Sequence, residues 1–332
     1  MVRQINPGLA RLWISESARQ FGAQGKILNN LTPAELRLLE YLEAGISNNQ
    51  IPHLPKMASA DPKTTSDLLQ RLNGTLSKTS SFLPQFSETE VERRFSEIMR
   101  LYLLGVEDPA ELLKARSNLK IYISCLNRTG LTIAKAMSAS AIQGIFTSDH
   151  SRVQESDTLE MGYSLHRLGQ QRIAAIRADE PSLKVRLHSR ASTTFDLCDL
   201  AVLISTDVVQ PASYQMWMAR DVPHISICFT ELGVEISPIV IPGATACLAC
   251  VELHRMSVNA NWVSIATQLS NLERDLADTA MMLFASGIAM NKSLNYLDKY
   301  LSSTVSETTR MSRTGILETL TLDSTNCGCR TE

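Results

Sequence analysis

The stretch PGATACLACVELHR, residues 242–255, carries Cys247 and Cys250 at C-x-x-C spacing. Two cysteines at this spacing are typical of half a metal site or of a redox dithiol, and they also occur by coincidence. A redox dithiol usually follows a strand at the start of a helix in a thioredoxin-like unit. The pair alone leaves these alternatives open, so the other cysteines must decide.

A second pair, Cys327 and Cys329 in the sequence CGC, lies far along the chain from the first. Tetrahedral zinc takes four soft ligands, and two chelating pairs supply them with little strain. The separation is too long for a small zinc finger. We therefore predict a structural zinc site on Cys247, Cys250, Cys327 and Cys329, which staples the C-terminal segment onto the preceding domain. Four thiolates would leave no open position for a catalytic water.

The remaining cysteines are Cys125, Cys198 and Cys228, which lie in or beside apolar segments. Free cysteines are among the most frequently buried side chains, so core packing is the expected role.

The composition indicates an ordinary globular protein. The chain has 332 residues, a formal net charge of -2, 44% hydrophobic and 20% charged residues. This length suggests about two domains. The charge provides no basic field for nucleic acid. The sequence has no long apolar run, so we expect neither a signal peptide nor a membrane span, and a cytoplasmic location. In a reducing compartment the seven cysteines are expected to be thiols or metal ligands.

Residues 1–85 are predicted to form a small α+β domain. Two short strands surround a glycine-rich turn, and the helix TPAELRLLEYLEAG follows. Thr32 and Glu35 have the spacing of a capping box at the start of that helix. Residues 86–117 contain two further helix start signals and are predicted to be a helical linker.

Residues 118–332 alternate between strand and helix patterns, which predicts a doubly wound α/β domain with a mostly parallel sheet. The expected strands are LKIYIS (119–124), IQGIFTS (142–148), LKVRLHS (183–189), DLAVLIS (199–205) and PHISICF (223–229). The expected helices are residues 128–140, 162–178, 210–221 and 271–299, and the chain closes with a strand or hairpin. Trp262, Ile265 and Leu269 have the spacing of a buried helix face, for core or partner packing.

The order of features along the chain resembles the ThiF/MoeB/HesA family, the bacterial relatives of ubiquitin-activating enzymes. This order is a doubly wound domain, then PG and CLAC, then a helix and a terminal cysteine pair. The resemblance implies ATP and magnesium binding, adenylation of the C-terminal carboxylate of a small protein or peptide, a structural zinc and a homodimer. CLACVELHR followed by Trp262 and CGC is most similar to a subgroup found beside ribosomal-peptide modification genes. In that subgroup an N-terminal winged-helix-like module can bind a leader peptide, which is the role expected for residues 1–85. The resemblance covers residues 115–332 well and residues 1–85 loosely.

The phosphate loop of that family corresponds here to CLNRTG, residues 125–130. Of the G-x-G-x-x-G pattern only Gly130 remains, and Cys125 and Asn127 bring side chains to places where the backbone should approach phosphate. Asn127 still tolerates unusual backbone angles, and Arg128 with the helix N-terminus would attract an anion.

The other family positions are partly kept. Asp149 matches the carboxylate that binds ribose, Arg172 matches a phosphate-binding lysine, and Asp207 matches the aspartate that helps to hold magnesium. The place of the family's phosphate-binding arginine falls near Glu160, whose charge would repel a triphosphate. The alternatives from the residues alone are an exposed strand-end Asp149, an Arg172 on a solvated helix face and an Asp207 that caps a helix.

Three functions follow as hypotheses. The chemistry of the eroded phosphate loop favours a degenerate member that keeps the fold and the zinc, and that binds a peptide or small protein or presents it to a modification enzyme. The alternative is an active ATP-dependent adenylyltransferase. A nicotinamide-dependent oxidoreductase also uses a doubly wound fold, but the glycine fingerprint is absent and that class does not explain the terminal cysteines.

Overall fold

The computed structural model describes residues 1–83, 85–187, 198–299, 306–322 and 327–329. The chain divides into two compact units, Met1–Ala115 and Arg116–Glu332. Across the described ranges, no helix combines the length and the apolar character needed to cross a membrane.

The N-terminal unit contains two small antiparallel sheets and a group of helices. Its strands are β1 (Val2–Ile5), β2 (Arg11–Ser15), β3 (Ala18–Phe21), β4 (Lys26–Leu28), β5 (Ile46–Ser47) and β6 (Leu76–Thr79). Its helices are α1 (Pro33–Ala44), α2 (Leu54–Met57), α3 (Pro62–Arg71), α4 (Glu88–Arg93) and α5 (Phe95–Leu103), and α6 (Pro109–Ser117) crosses into the second unit. The sheets have the orders β5-β1-β6 and β2-β3-β4.

The predicted capping box of α1 is confirmed. The Thr32 hydroxyl accepts from the Glu35 N–H at 3.3 Å, and the Thr32 N–H donates to the Glu35 carboxylate at 2.8 Å. These two bonds satisfy backbone donors that a helix start leaves unpaired. The helix then buries Leu38, Leu39 and Leu42 in the core of this unit.

Strand β2 is an edge strand whose five residues are all exposed. Leu12, Trp13 and Ile14 are 39%, 77% and 50% exposed. The Arg19 guanidinium lies 3.6 Å from the Trp13 ring centroid and so supports the indole from beneath. An apolar, unpaired edge of this kind favours contact with another chain.

The C-terminal unit is built on an eight-stranded mixed sheet. Its strands are β7 (Lys120–Ile123), β8 (Gly144–Thr147), β9 (Val185–Leu187), β10 (Leu200–Thr206), β11 (His224–Thr230), β12 (Gly233–Ile236), β13 (Glu307–Ser312) and β14 (Leu317–Thr321). Its helices are α7 (Arg128–Ala139), α8 (Arg172–Asp179), α9 (Pro211–Met218), α10 (Leu248–Val258), α11 (Trp262–Leu269) and α12 (Thr279–Leu297). The sheet order is β14-β13-β12-β11-β10-β7-β8-β9.

Five neighbouring strands, β9, β8, β7, β10 and β11, are parallel, and β12 to β14 extend the sheet as antiparallel strands. The strand order reverses between β7 and β10. In open α/β sheets, ligands bind at such a switch point, outside the carboxyl ends of the strands. The loops that follow β7 and β10 are therefore the place to look for a site.

Each face of the sheet carries its own apolar core. Along β11, Ile225, Ile227 and Phe229 pack on one side with residues of α7, α8 and α12, whereas Cys228 packs on the other side with Trp217. This alternation is the two-residue period of a strand that is buried on both faces. The expectation of core packing for Cys228 is confirmed, because this residue is 2% exposed.

Two helix predictions need correction. The helix expected over residues 162–178 begins only at Arg172, because Gly169 adopts a left-handed φ of 77° that interrupts a helix. The helix expected over residues 271–299 begins at Thr279, where the Asp278 carboxylate caps the N–H groups of Ala280 and Met281. Of the strand expected over 183–189, the last two residues lie outside the described ranges.

His224 provides a test of the buried strand β11. Its imidazole is 0% exposed, its Nδ1 lies 3.0 Å from the Val222 carbonyl, and its Nε2 has no partner within the described residues. Burial lowers the pKa of His224 to about 4. The unfolded chain has a histidine pKa of about 6.5, so it binds a proton that the folded chain does not bind between these values.

We predict that the free energy of unfolding falls as the pH is lowered from about 6.5 towards 4, by up to about 1.4 kcal/mol per pH unit from this group. Urea unfolding at several pH values measures the slope. His224→Gln should flatten it, and His150→Gln, at an exposed position, should leave it unchanged. An identical slope in wild type and His224→Gln would contradict the assignment.

Candidate functional site

Four cysteines meet on the face of the sheet that carries α10. Cys247 is the N-cap residue of α10 and Cys250 lies in its first turn, so both sulfurs point to the same end of the helix. The Sγ atoms of Cys247 and Cys250 are 3.9 Å apart. Cys327 places its sulfur 3.5 Å from that of Cys247, and Cys329 places its own 3.5 Å from that of Cys250.

The cluster fits a tetrahedral metal ion. All four sulfurs lie within 4.8 Å of one another. A zinc ion with Zn–S bonds of about 2.3 Å in tetrahedral geometry needs sulfurs about 3.8 Å apart. Burial raises the pKa of the Cys247 thiol to about 11, and a bound cation would stabilise its thiolate. The four predicted ligands therefore come together and can hold a metal ion, whereas Cys125, Cys198 and Cys228 lie outside the cluster.

The loop after β7 leads directly into α7. Asn127 is the N-cap, and its side-chain oxygen accepts from the Gly130 N–H at 3.1 Å. A Cβ atom on Gly130 would lie 1.9 Å from the Cys125 carbonyl oxygen, so the turn itself requires a glycine there. Gly130, the one glycine that matches the expected phosphate-loop pattern, therefore has a structural reason to be present. The N–H of Gly130, at the start of the helix, already has a partner within the chain.

Asp149 follows β8 and is turned inward against this loop. Its Oδ2 accepts from the Leu126 N–H at 2.7 Å and from Arg172 Nη1 at 3.1 Å, and its Oδ1 accepts from the Ser151 N–H at 2.7 Å. Burial alone would raise the pKa of Asp149, but these donors and the charge of Arg172 outweigh it and hold the pKa below its ordinary value. The carboxylate is ionised at neutral pH and is nearly saturated with donors.

Arg172 lies between two buried carboxylates. Its Nε and Nη2 contact Asp157 Oδ2 at 2.9 and 2.8 Å, in addition to the bond from Nη1 to Asp149. The side chain of Arg172 is 10% exposed and those of Asp149 and Asp157 are 3% exposed. Burial lowers the pKa of Arg172, and the two carboxylates more than reverse this effect.

A tyrosine closes the same arrangement from the other side. The buried Tyr163 hydroxyl donates to the Leu126 carbonyl at 2.6 Å. The peptide groups of Leu126 are thus held through their N–H by Asp149 and through their C=O by Tyr163. Burial raises the pKa of Tyr163, so this hydroxyl stays a donor. We call Asp149, Asp157, Arg172 and Tyr163 the strand-end cluster.

Arg128 and Glu160 lie beside this cluster. Arg128 is buried, and its Nη2 donates to the Thr279 hydroxyl at 3.0 Å and to the Glu160 carbonyl at 3.3 Å. Its guanidinium therefore packs against the start of α12. Glu160, which the sequence resemblance places near the expected position of a phosphate-binding arginine, is exposed.

Asp207 lies at the end of β10, across the switch point. Its φ of 65° is left-handed, a conformation that aspartate tolerates better than most residues. Both carboxylate oxygens are bound by Arg274, at 3.0 Å to Nε and 2.5 Å to Nη2, and Arg274 Nη1 contacts Glu231 at 2.5 Å. The hydrogen bonds with Asp207 and Glu231 raise the pKa of Arg274.

The predicted residues thus fall into two places. Asn127, Gly130, Asp149 and Arg172 meet at the end of β7 and β8, and Asp207 lies at the end of β10. Sequence reasoning missed Asp157 and Arg274. Asp157 could have been found, because it is a charged residue in a segment that was already expected to face the site. Arg274 gave no such signal, because the stretch that carries it was predicted to be helical.

A groove of about 720 Å³ opens beside Asp207, between the α10–α11 pair and the antiparallel strands β12 and β13. Trp262, Ile265 and Leu269 line it. These three residues were expected to be a buried helix face. Instead they are half-buried, and no residue of α11 is fully buried.

The wall of the groove is held by a charge network centred on Arg255. Arg255 contacts Glu235 at 2.5 Å and Glu252 at 2.9 Å, and the Trp262 indole N–H donates to Glu252 at 2.6 Å. Because Arg255 and Glu252 belong to α10, the helix that starts at the cysteine cluster also positions the groove.

Comparison with solved structures shows the same fold. The chain resembles Escherichia coli MccB in complex with ATP, with a TM-score of 0.68 at 12% identity over 100% of both chains. It resembles the microcin C7 biosynthetic enzyme MccB in complex with N-formylated MccA, with a TM-score of 0.68 at 12% identity over 99% of both chains. PaaA gives a TM-score of 0.63 at 15% identity, over 82% of this chain and 96% of PaaA. No protein-family model and no curated protein matches the sequence.

We predict that the purified protein contains about one equivalent of zinc on the four cysteines, since two chelating pairs complete its coordination. The double variant Cys327→Ser/Cys329→Ser should lose the metal and melt at a lower temperature, because structural zinc contributes to folding stability. Elemental analysis and thermal unfolding measure both effects.

The matched control is Cys198→Ser, which makes the same chemical change outside the cluster and should keep the zinc. Less than about half an equivalent of zinc in fresh wild-type protein, or unchanged melting of the double variant, would refute the site.

Proposed function

We propose that the chain is a ThiF-like, zinc-stapled protein that binds a peptide or small protein of a modification pathway and does not use ATP at the strand ends. One observation carries the proposal. The residues that would hold the nucleotide, Asp149 and Arg172, are bound to each other, and Arg172 is also bound to Asp157, in a buried network.

ATP and magnesium do not fit the residues as they stand. A ribose hydroxyl would meet a buried carboxylate that is nearly saturated, because Asp149 already accepts from Leu126, Ser151 and Arg172. Drawing Arg172 out towards a phosphate would leave two buried carboxylates without their counter-charge. Breaking a buried ion pair in this way costs about 3–5 kcal/mol. Glu160 adds a negative charge where the triphosphate needs a cation.

Partner binding rests on two surfaces. The first is the groove beside α11, whose apolar residues remain half-buried. The second is β2 of the N-terminal unit, with Trp13 at its centre. The structural neighbour MccB has been solved in complex with MccA, and by analogy of fold we assign a peptide as the partner of this chain. The resemblance to the family also implies a homodimer, and sedimentation equilibrium showing a monomer would remove that part of the proposal.

The alternative, an active adenylyltransferase, is favoured by the fold it shares with MccB in complex with ATP. Calorimetric titration with ATP and magnesium, followed by a pyrophosphate-exchange assay, separates the two. We predict no binding of ATP and no exchange, with MccB as the positive control for binding. Micromolar binding of ATP together with pyrophosphate exchange would overturn the proposal.

The partner arm uses a labelled synthetic peptide copied from any short open reading frame that is found beside the gene. We predict that its affinity does not change when ATP is added. Trp13→Ala should weaken binding by at least about tenfold, since exposed aromatic residues often dominate interfaces. Leu83→Ala removes a similarly exposed apolar side chain away from β2 and should have little effect.

A further inference from the structure

The carboxylate of Asp207 already has a cation bound to it. Asp207 is the acidic residue that follows β10, and its side chain is only 3% exposed. Arg274 contacts both of its oxygens, so the contact is bidentate. The remaining arm of the same guanidinium reaches Glu231 in the turn between β11 and β12.

The guanidinium and a metal ion would compete for the same oxygens. A divalent cation such as magnesium binds carboxylate oxygens at about 2.0–2.1 Å and keeps several waters around it. Arg274 places N–H groups on both oxygens of Asp207 and on one oxygen of Glu231, which leaves no approach for such an ion from that side. Arginine stays charged at any physiological pH, so this neutralisation does not depend on conditions.

The loop that carries Arg274 is itself fixed. Arg313 contacts the Asp278 carboxylate at 2.8 Å and donates to the Leu276 carbonyl at 3.1 Å. The same guanidinium donates to the carbonyls of Thr230 and Glu231, both at 2.8 Å. Arg313 therefore ties the loop before α12 to the turn after β11, and this holds Arg274 over Asp207.

We propose that Arg274 is a built-in counter-cation that takes the place of a divalent metal at Asp207, and that its removal uncovers a divalent-cation site formed by Asp207 and Glu231. This inference rests on the proposed function, because a metal-independent strand end is what a protein without nucleotide chemistry would keep. It assigns to Arg274 a role in setting which ions and ligands this end of the sheet accepts.

The test is a titration with Mn²⁺ alone. Binding is measured as the loss of the free Mn²⁺ signal in electron paramagnetic resonance. Wild-type protein should show no specific binding. Arg274→Ala should bind about one Mn²⁺ per chain, at least about tenfold more tightly than wild type. Adding Asp207→Asn to Arg274→Ala should abolish the gain.

Arg167→Ala is the matched control. It removes an arginine that pairs with Asp179 on the surface and so bares a carboxylate with the same change in net charge. This variant should bind no more Mn²⁺ than wild type. The inference is overturned if wild type binds Mn²⁺ as tightly as Arg274→Ala, if Arg167→Ala gains as much, or if folded Arg274→Ala, verified by circular dichroism, gains nothing.

The failure of this inference can be distinguished from the failure of the proposed function. If wild type binds ATP and magnesium, the proposed function fails whatever Arg274→Ala does. If only Arg274→Ala fails to gain Mn²⁺, the inference about Arg274 fails and the peptide-binding proposal stands.

Discussion

The strand-end region depends on one interaction, the ion pairing of the Arg172 guanidinium with the carboxylates of Asp149 and Asp157. The guanidinium lies against both carboxylates in a nearly dry site, and the desolvation cost of all three groups ties them to one geometry. Asp149 then holds the Leu126 N–H and so fixes the loop into α7. Asp157 lies on the same segment as Tyr163, whose hydroxyl donates to the Leu126 carbonyl and so holds this segment against the loop. The loop into α7, the segment with Asp157 and Tyr163, and helix α8 are thus held by one charge network.

The same solution recurs across the switch point. Asp207 is neutralised by Arg274, just as Asp149 is neutralised by Arg172. In both places an arginine side chain of the protein supplies the positive charge that balances the aspartate. The switch-point geometry of the sheet is therefore retained while its charges are satisfied from within.

Helix α10 connects the cysteine cluster to the groove beside α11. This helix starts at the cysteine cluster, and further along it carries Glu252 and Arg255, which set the wall of the groove. A metal ion on the four sulfurs would fix the first turn of α10 and join it to the segment with Cys327 and Cys329. The half-buried apolar residues of α11 face the groove and need a partner to become fully buried.

Much of the scaffold was predictable because its signals are local or periodic. The capping box at Thr32, the alternating strands and the two cysteine pairs each show their role in short sequence patterns. The contacts of the strand-end cluster were not predictable. Asp157 meets Arg172 only because of the path of the loop between them, and that loop exists because Gly169 interrupts the expected helix. Arg274 lay in a stretch rich in helix formers, and only the cap at Asp278 delays the helix. The α11 face has helical spacing whether it meets a core or a groove, so periodicity could not distinguish the two.

The most direct test of the central claim is a crystal structure of the protein soaked with a non-hydrolysable ATP analogue and magnesium. The account predicts no ordered nucleotide at the ends of β7 and β10. It also predicts Arg172 against Asp149 and Asp157, and Arg274 against Asp207. An ordered nucleotide with its ribose on Asp149 and Arg172 turned towards its phosphates would contradict it.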